Sequence, residues 1–338
     1  MTDETRVENP SDVARKSIEA VSSDALNVTD SMRDELETLV QLGKKYLWSE
    51  PETMRFLQRS GVNIEPARFY SQLPTVDDIE GSFEYEERYA DRGPYKSLFD
   101  IEHLGAELAE FSKFSRSFTP GLDKKAPGEY FWKNPAFSYS DAMTYWAALN
   151  RYKPRRVVEV GAGYSTLIAR RALLEGVIEE LVLIDPYPME WMKQEVPEAE
   201  LIVRTAQSFD PPEFADFFSD GDLLFIDSTH TVKLGSDCLA IYLLLLPAID
   251  AQIEVHVHDI YLPFGFPKAK AHLRQHWTEQ HLLAAYLLDN PLTTINYGSV
   301  ANQAFHPTGM LDLMHGQFQP GGASLWFSKS GRETVRSS

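Results

Sequence analysis

The second half of the chain repeats one pattern: a short apolar run ends at a glycine or polar residue and is followed by a stretch of helical length. Short apolar strands that alternate with helices predict a mostly parallel sheet with helices on both faces. Near the C-terminus, a long helix at about 271–288 precedes two more strands, which we expect to be joined by a long loop containing Gly, Pro and His. The sequence therefore predicts an α/β fold with seven strands, at residues 156–160, 181–184, 201–203, 222–226, 253–257, 293–297 and 323–328.

Polar residues collect at the ends of these predicted strands. In an open parallel sheet, the carboxyl ends of the strands lie along one edge, and ligands bind outside that edge. The pattern therefore predicts a functional site there. The residues at the strand ends are Glu159, Gly161, Asp185, Asp227, His258 and Asp259.

The first predicted strand passes into a helix through Gly161 and Gly163. Glycine suits a sharp turn at which a ligand contacts the backbone, and a carboxylate after the next strand, here Asp185, can accept both hydroxyls of a ribose. These residues predict a nucleoside cofactor, the alternative being a tight turn without a ligand. A dinucleotide site favours a third glycine where Thr166 stands, so the sequence argues against a pyrophosphate.

Residues 159–163 read Glu-Val-Gly-Ala-Gly. This segment resembles the E/D-x-G-x-G motif of the class I S-adenosylmethionine-dependent methyltransferases. The resemblance implies a Rossmann-like, mostly parallel seven-stranded sheet with an antiparallel closing strand, and S-adenosylmethionine as cofactor. It places the methionine part near the turn and the adenine after the third strand. The residues expected to bind the cofactor are Glu159, Gly161, Ala162, Gly163, Tyr164, Ser165, Thr166, Asp185, Gln207, Ser208 and Asp227.

Segments 225–230, 257–260 and 277–280 resemble a subgroup related to the metal-dependent sugar O-methyltransferases of macrolide and aminocoumarin biosynthesis. The resemblance covers about residues 130–329, whereas residues 1 to about 125 match poorly, so the substrate of that subgroup is not carried over.

The same resemblance implies a metal site. Asp227 and Asp259 match two of the three metal-ligand positions of that subgroup, and His258 stands at the other. Two carboxylates with one imidazole favour Mn, Fe or Zn over Mg. The alternative is that no metal binds and that these carboxylates cap helices.

His230 lies three residues after Asp227, at the position of the proposed base histidine of the resembling group. A neutral imidazole can take a proton from an alcohol near neutral pH. His230 and Asp227 are therefore the expected catalytic residues. The alternative for His230 is a structural hydrogen bond to its own turn.

The sequence divides into four predicted regions. Residues 1–28 are polar and acidic and predict a mobile segment or a loosely attached helix, and residues 331–338 predict a short tail. Residues 29–126 predict a mostly helical region, with helices at 30–48 and about 100–115, which we expect to cover the acceptor site. Residues 127–330 predict the methyltransferase domain.

Acidic residues outnumber basic ones by 50 to 32, for a net charge of −18. This balance argues against a nucleic-acid partner and against an anionic membrane surface. No secretory signal is visible, so a cytoplasmic location is the default expectation, and the sequence leaves open whether the chain forms a homo-oligomer.

Taken together, the motifs predict S-adenosylmethionine-dependent O-methylation of a small hydroxylated acceptor, with a sugar or glycoside favoured. Two alternatives are a nicotinamide-dependent oxidoreductase on a similar sheet and a non-catalytic S-adenosylmethionine-binding module. The residue at 166 argues against the first alternative. Asp227, His230 and Asp259 argue against the second, because a binding module has no need of them.

Overall fold

The computed structural model describes residues 30–68 and 70–331. The predicted mobile segment 1–28 and residues 332–338 of the predicted tail lie outside the described residues. The chain divides into two compact units, one ending at Glu80 and the other beginning at Gly81. The predicted boundary between residues 126 and 127 therefore lies inside the second unit.

Three helices form the described part of the first unit: α1 (Asp30–Tyr46), α2 (Pro51–Arg59) and α3 (Val76–Glu80). The first helix, predicted at residues 30–48 from its apolar spacing, is therefore confirmed as α1. Its apolar side chains are not buried, since Leu36 is 47% and Leu39 is 64% exposed. Helix α1 therefore has the predicted amphipathic spacing, but its apolar side chains remain exposed.

The second unit is built on one sheet. Within the described residues it has seven strands in the order β3-β2-β1-β4-β5-β7-β6. Five strands pair in parallel, and β7 runs antiparallel to both of its neighbours, β5 and β6. The predicted fold class is confirmed. The strands are β1 (Arg156–Val160), β2 (Glu180–Ile184), β3 (Glu200–Ile202), β4 (Leu223–Ile226), β5 (Ile253–Val257), β6 (Thr293–Gly298) and β7 (Leu325–Lys329).

Helices cover both faces of this sheet, so the central strands are apolar on both sides. Val157 of β1 belongs to one buried cluster and Val158 to the other, because successive side chains of a strand point to opposite faces. The helices of this unit are α4 (Ile101–Ser115), α5 (Tyr139–Tyr152), α6 (Thr166–Leu174), α7 (Met192–Glu195), α8 (Pro211–Ala215), α9 (Asp237–Ala240), α10 (Leu246–Ala248), α11 (Lys268–His272), α12 (Glu279–Leu287), α13 (Ser299–Phe305) and α14 (Pro307–Met314). A π-helical turn, Ile241–Leu245, joins α9 to α10.

Two predictions about the C-terminal part are wrong. The single helix predicted at 271–288 is interrupted at residues 273–278, where Arg274 has a left-handed φ of +66°. The predicted loop between the last two strands contains α13 and α14. The apolar spacing continues across residues 273–278, so it does not show that the helix is interrupted there. Gly and Pro between the last two strands favoured the prediction of a loop.

Across the described residues, no helix combines the length and the apolar character that a membrane crossing needs.

Candidate functional site

Gly161 brings the ends of β1 and β4 together. Its φ is +90°, and a Cβ added there would lie 1.9 Å from the carbonyl oxygen of Asp227. Only glycine fits this approach. At Gly163, in contrast, an added Cβ would meet no atom within 4 Å. The turn therefore packs tightly against the sheet on one side and leaves space beside Gly163, where a ligand can contact backbone.

Glu159 supports this turn from inside the protein. It is fully buried, and its carboxylate accepts hydrogen bonds from the hydroxyls of Tyr145 and Thr166. The Thr166 hydroxyl in turn accepts a hydrogen bond from the Gly163 amide at 3.1 Å. Burial raises the pKa of Glu159 to about 7, against the opposing effect of the two hydroxyls. Glu159 thus fixes the turn through Thr166, and burial keeps it away from the surface that a cofactor would contact.

Asp185 links the end of β2 to the same turn. One carboxylate oxygen accepts a hydrogen bond from the Ala162 amide at 3.0 Å, and the other accepts one from the Tyr187 amide at 2.7 Å. Asp185 is only partly buried. Each carboxylate oxygen can accept more than one hydrogen bond, so acceptor capacity remains for a ribose.

The other residues expected to bind the cofactor lie in two places. The Tyr164 ring packs between Phe131 and Trp191, with centroid distances of 5.8 and 5.6 Å, and the neighbouring Ser165 is buried. Gln207 and Ser208 are exposed in a 3-10 turn after β3, on the same edge of the sheet.

A compact charged cluster follows β4 and β5. One oxygen of Asp227 lies 3.2 Å from Nε2 of His230 and 3.4 Å from Nδ1 of His258. An oxygen of Asp259 lies 3.7 Å from the same two nitrogens. His230 and Asp259 have φ values of +57° and +54°, which are rare for residues other than glycine. The structure therefore holds four predicted site residues together in a strained local backbone.

The charges in this cluster stabilise one another. Burial lowers the pKa of both histidines, but the neighbouring carboxylates outweigh it and raise the pKa of His230 to about 10 and that of His258 well above its usual value. Burial raises the pKa of Asp227, but the charge of His258 and a hydrogen bond from His230 bring it well below its usual range. The neighbouring carboxylates therefore favour the protonated form of both imidazoles.

A second carboxylate lies behind each imidazole. Nδ1 of His230 is 2.8 Å from Glu279, whose other oxygen accepts a hydrogen bond of 2.7 Å from the Tyr242 hydroxyl. Nε2 of His258 is 3.2 Å from Asp141, and both of these carboxylates are almost completely buried.

Sequence reasoning missed Glu279 and Asp141 as site residues. Glu279 lies in segment 277–280, which carried the subgroup resemblance, so that segment offered a signal. Asp141 lies in α5, 117 residues before its histidine, and offered none.

The predicted metal centre is not supported. Asp227, His258 and Asp259 do converge, yet within the described ranges no group of three or more His, Cys, Asp or Glu side chains could hold a metal ion. Nε2 of His258 is taken up by Asp141, and its Nδ1 lies 3.4 Å from Asp227 and 3.7 Å from Asp259.

A cavity of about 530 Å³ opens beside the cluster. Its wall contains Lys270, whose ammonium donates a hydrogen bond to the Tyr261 hydroxyl and lies 5.0 Å from the ring centroids of Tyr261 and Trp277. The Tyr261 hydroxyl donates to Asp259 at 3.1 Å. The cavity thus combines carboxylates, the ammonium group of Lys270 and aromatic surfaces. Its lining residues are Pro135, Ala136, Ser138, Tyr139, Asp141, Asp227, His258, Asp259, Tyr261, Lys270, Trp277, Gly322 and Ala323.

Comparisons with known proteins agree with this geometry. The family model described as "Methyltransferase domain" matches residues 158–260. An uncharacterized protein of Archaeoglobus fulgidus is 27% identical over 182 residues, which are 50% of this chain and 74% of that protein.

Similarity to solved structures is weak. The plantazolicin methyltransferase BpumL, in complex with a pentazolic analog and SAH, has 11% identity and a TM-score of 0.35 over 90% of this chain and 100% of that chain. Mycolic acid cyclopropane synthase CmaA1, complexed with SAH and CTAB, has 12% identity and a TM-score of 0.29 over 68% of this chain and 97% of that chain.

The family match begins inside β1 and ends just beyond Asp259, so it spans the glycine turn and the charged cluster. The strand order of the sheet and the acidic residue after β2 agree with it. The match therefore identifies a methyltransferase domain at residues 158–260.

Proposed function

We propose that this enzyme transfers the methyl group of S-adenosylmethionine to a hydroxyl oxygen of a small acceptor, with a sugar or glycoside as the favoured class. The observation that carries the proposal is the position of the charged cluster. It lies between the glycine turn, which Gly161 presses against Asp227, and the cavity of about 530 Å³.

In this proposal the cofactor lies along the turn from Gly161 to Thr166, where the amide of Gly163 and the open space beside it are available. Asp185 accepts the ribose hydroxyls, and Gln207 and Ser208 contact the adenine. The donor methyl group then lies near Asp227, because the turn and the end of β4 are in contact.

Methyl transfer from a sulfonium is an in-line displacement, so its main requirements are alignment and exclusion of water. The acceptor oxygen forms a bond to the methyl carbon, the carbon–sulfur bond breaks, and the sulfur keeps the electron pair. The hydroxyl proton goes to Nε2 of His230, beside Asp227. Only the neutral form of His230 can accept it, so the active form is more abundant at alkaline pH.

No step is assigned to a metal, since the side chains present do not fit a metal centre. The imidazolium of His258 supplies the positive charge that balances Asp227. The proposal for catalysis therefore rests on His230 and Asp227 alone.

The cavity favours a polyhydroxylated acceptor. Carboxylates such as Asp259 accept hydrogen bonds from hydroxyl groups, and the rings of Tyr139, Tyr261 and Trp277 offer flat apolar surfaces for the face of a sugar ring. A purely apolar acceptor would bring apolar surface against these carboxylates without offering them a hydrogen bond, which is costly.

Part of the predicted N-terminal cover belongs to the same unit as this cavity. The Tyr85 hydroxyl donates a hydrogen bond of 2.8 Å to the carbonyl of Phe266, and the Tyr95 amide donates one of 3.1 Å to the carbonyl of Pro263. We propose that residues 81–98 hold the loop after β5 in place beside the acceptor. The same role for residues 29–80 stays a prediction.

Radiolabelled S-adenosylmethionine with a panel of acceptors tests the proposal. The panel contains methyl α-D-glucopyranoside, catechol, benzoate and an alkyl amine, with the Asp185→Ala variant as a cofactor-binding control. We expect label on a hydroxyl oxygen of the glycoside. Label on catechol alone would overturn the sugar assignment, and label on the amine or carboxylate alone would overturn O-methylation.

A further inference from the structure

We infer that Glu279 is the positioning residue for His230: it fixes the imidazole with Nε2 directed at the reaction site and balances the charge that the ring gains with a proton. The inference rests on the proposed role of His230 as the base. It adds a residue to the site, since only His230 and Asp227 carry the proposed catalysis.

The contact itself is short and completely enclosed. Glu279 is 1% exposed and His230 is 6% exposed, and the distance from Nδ1 to the carboxylate oxygen is 2.8 Å. The other oxygen of Glu279 accepts a hydrogen bond of 2.7 Å from the buried Tyr242 hydroxyl. Both carboxylate oxygens are therefore used, and the carboxylate cannot rotate without losing one of these bonds.

Backbone hydrogen bonds also fix the position of Glu279 relative to His230. The carbonyl of His230 accepts hydrogen bonds from the amides of Thr278 and Glu279, at 2.8 and 3.1 Å. The Thr278 hydroxyl accepts a bond of 2.9 Å from the amide of Val232. The loop after β4 is thus attached at several points to the start of α12, and this attachment maintains the left-handed backbone of His230.

The opposite side of the imidazole faces the site. Nε2 of His230 lies 3.2 Å from Asp227 and 3.7 Å from Asp259, and the ring packs against Trp277 with a centroid distance of 4.8 Å. A carboxylate on Nδ1 keeps the proton on that nitrogen, so Nε2 is the nitrogen left to receive the acceptor proton. The same arrangement of carboxylate, imidazole and reacting hydroxyl orients the base in hydrolytic triads.

Glu254 offers a matched comparison within this protein. Its carboxylate is partly enclosed and accepts hydrogen bonds from Ser328 and Asn296. It lies on β5, four residues before His258 and toward the other end of the strand. A Glu254→Gln variant therefore removes a carboxylate of the same type without touching the site.

The experiment combines a spectroscopic signature with kinetics. Protein labelled with 15N-histidine and saturated with S-adenosylhomocysteine is compared as wild type, Glu279→Gln, Tyr242→Phe, Glu254→Gln and His230→Gln. The last variant assigns the Nδ1–H resonance of His230. Turnover is measured with the acceptor panel described above, and binding of S-adenosylhomocysteine and thermal stability report whether each variant is folded.

We expect a protected, hydrogen-bonded Nδ1–H resonance in wild type, Tyr242→Phe and Glu254→Gln, and its loss or upfield shift in Glu279→Gln. At the alkaline plateau of the pH profile, where His230 is neutral in both proteins, kcat of that variant falls by about 10- to 1000-fold, part of what a complete general base contributes, while KM changes by less than about threefold. An unchanged resonance together with wild-type kcat in Glu279→Gln would overturn the inference.

The two proposals can fail separately. If His230→Gln keeps wild-type turnover, the base assignment fails, and the role of Glu279 fails with it. If His230→Gln is inactive while Glu279→Gln matches wild type in resonance and turnover, only the positioning role is overturned. If Glu279→Gln does not fold, Glu279→Asp is measured in its place, with Tyr242→Phe as a separate control. A weakened Nδ1–H resonance together with a lower kcat in Glu279→Asp supports the positioning role, and a wild-type resonance together with wild-type kcat contradicts it.

Discussion

Replacing Glu159 by glutamine tests the electrostatics beneath the glycine turn. The carboxylate is fully buried and accepts hydrogen bonds from the hydroxyls of Tyr145 and Thr166, and among the described residues no cation is in hydrogen-bond contact with it. Glutamine has the same shape, and it can accept from one hydroxyl and donate to the other. The variant therefore removes the charge and keeps the packing.

The magnitude follows from the shift in pKa. Burial raises the pKa of Glu159 from 4.5 to about 7. Because the folded protein binds this proton more tightly, the group contributes stability that is fully present below about pH 4.5 and is lost as the pH rises through 7. A shift of this size corresponds to about 3 kcal/mol between the two limits, at about 1.4 kcal/mol for each pKa unit.

Urea unfolding at pH 5, 6, 7 and 8 measures this effect. We expect the stability of Glu159→Gln relative to wild type to increase by about 2–3 kcal/mol from pH 5 to pH 8, since only wild type carries the titrating carboxylate. The exposed variant Glu190→Gln controls for general effects of charge. Parallel stability curves for Glu159→Gln and wild type would refute the reasoning.

Four further predictions concern the site. Gly161→Ala should abolish binding of S-adenosylhomocysteine and lower the melting temperature, because its Cβ would lie 1.9 Å from the Asp227 carbonyl oxygen. Gly163→Ala should weaken binding of S-adenosylhomocysteine without loss of stability, and calorimetry and thermal melts compare the two variants. Asp185→Ala should weaken the binding of S-adenosylhomocysteine by about 1.5–3 kcal/mol, as expected for the loss of a charged hydrogen-bond acceptor. Unchanged affinity in calorimetry would exclude a contact between Asp185 and the ribose. The value of kcat/KM should rise with pH toward about 10, since His230 must be neutral to accept a proton, and a profile that is flat from pH 7 to 10 would contradict that role. Turnover should persist after exhaustive treatment with chelator, and recovery that depends on added Mg, Mn or Zn would show that a metal takes part.

The strand pattern and the local turns were predictable from the sequence because they depend on neighbours along the chain. β1 and β5 have the predicted bounds, and Gly161 occupies the tight turn that its position indicates. The break between α11 and α12 was not predictable, since the apolar spacing continues across it. The bonds that hold Thr278 and Glu279 to His230 determine where the second helix begins.

The sequence by itself therefore determined the sheet, its ligand-binding edge and the group of residues at that edge, because strand ends and glycine turns are encoded in short segments. Only the tertiary structure determined which charged partners surround each of those residues. Asp141 reaches His258 across 117 residues and Glu279 reaches His230 across 49. These contacts surround both imidazoles with carboxylates and raise the pKa of each, so this edge carries a network of paired charges. No local pattern carries that information, because the pKa of a buried group depends on all the charges that the fold places around it.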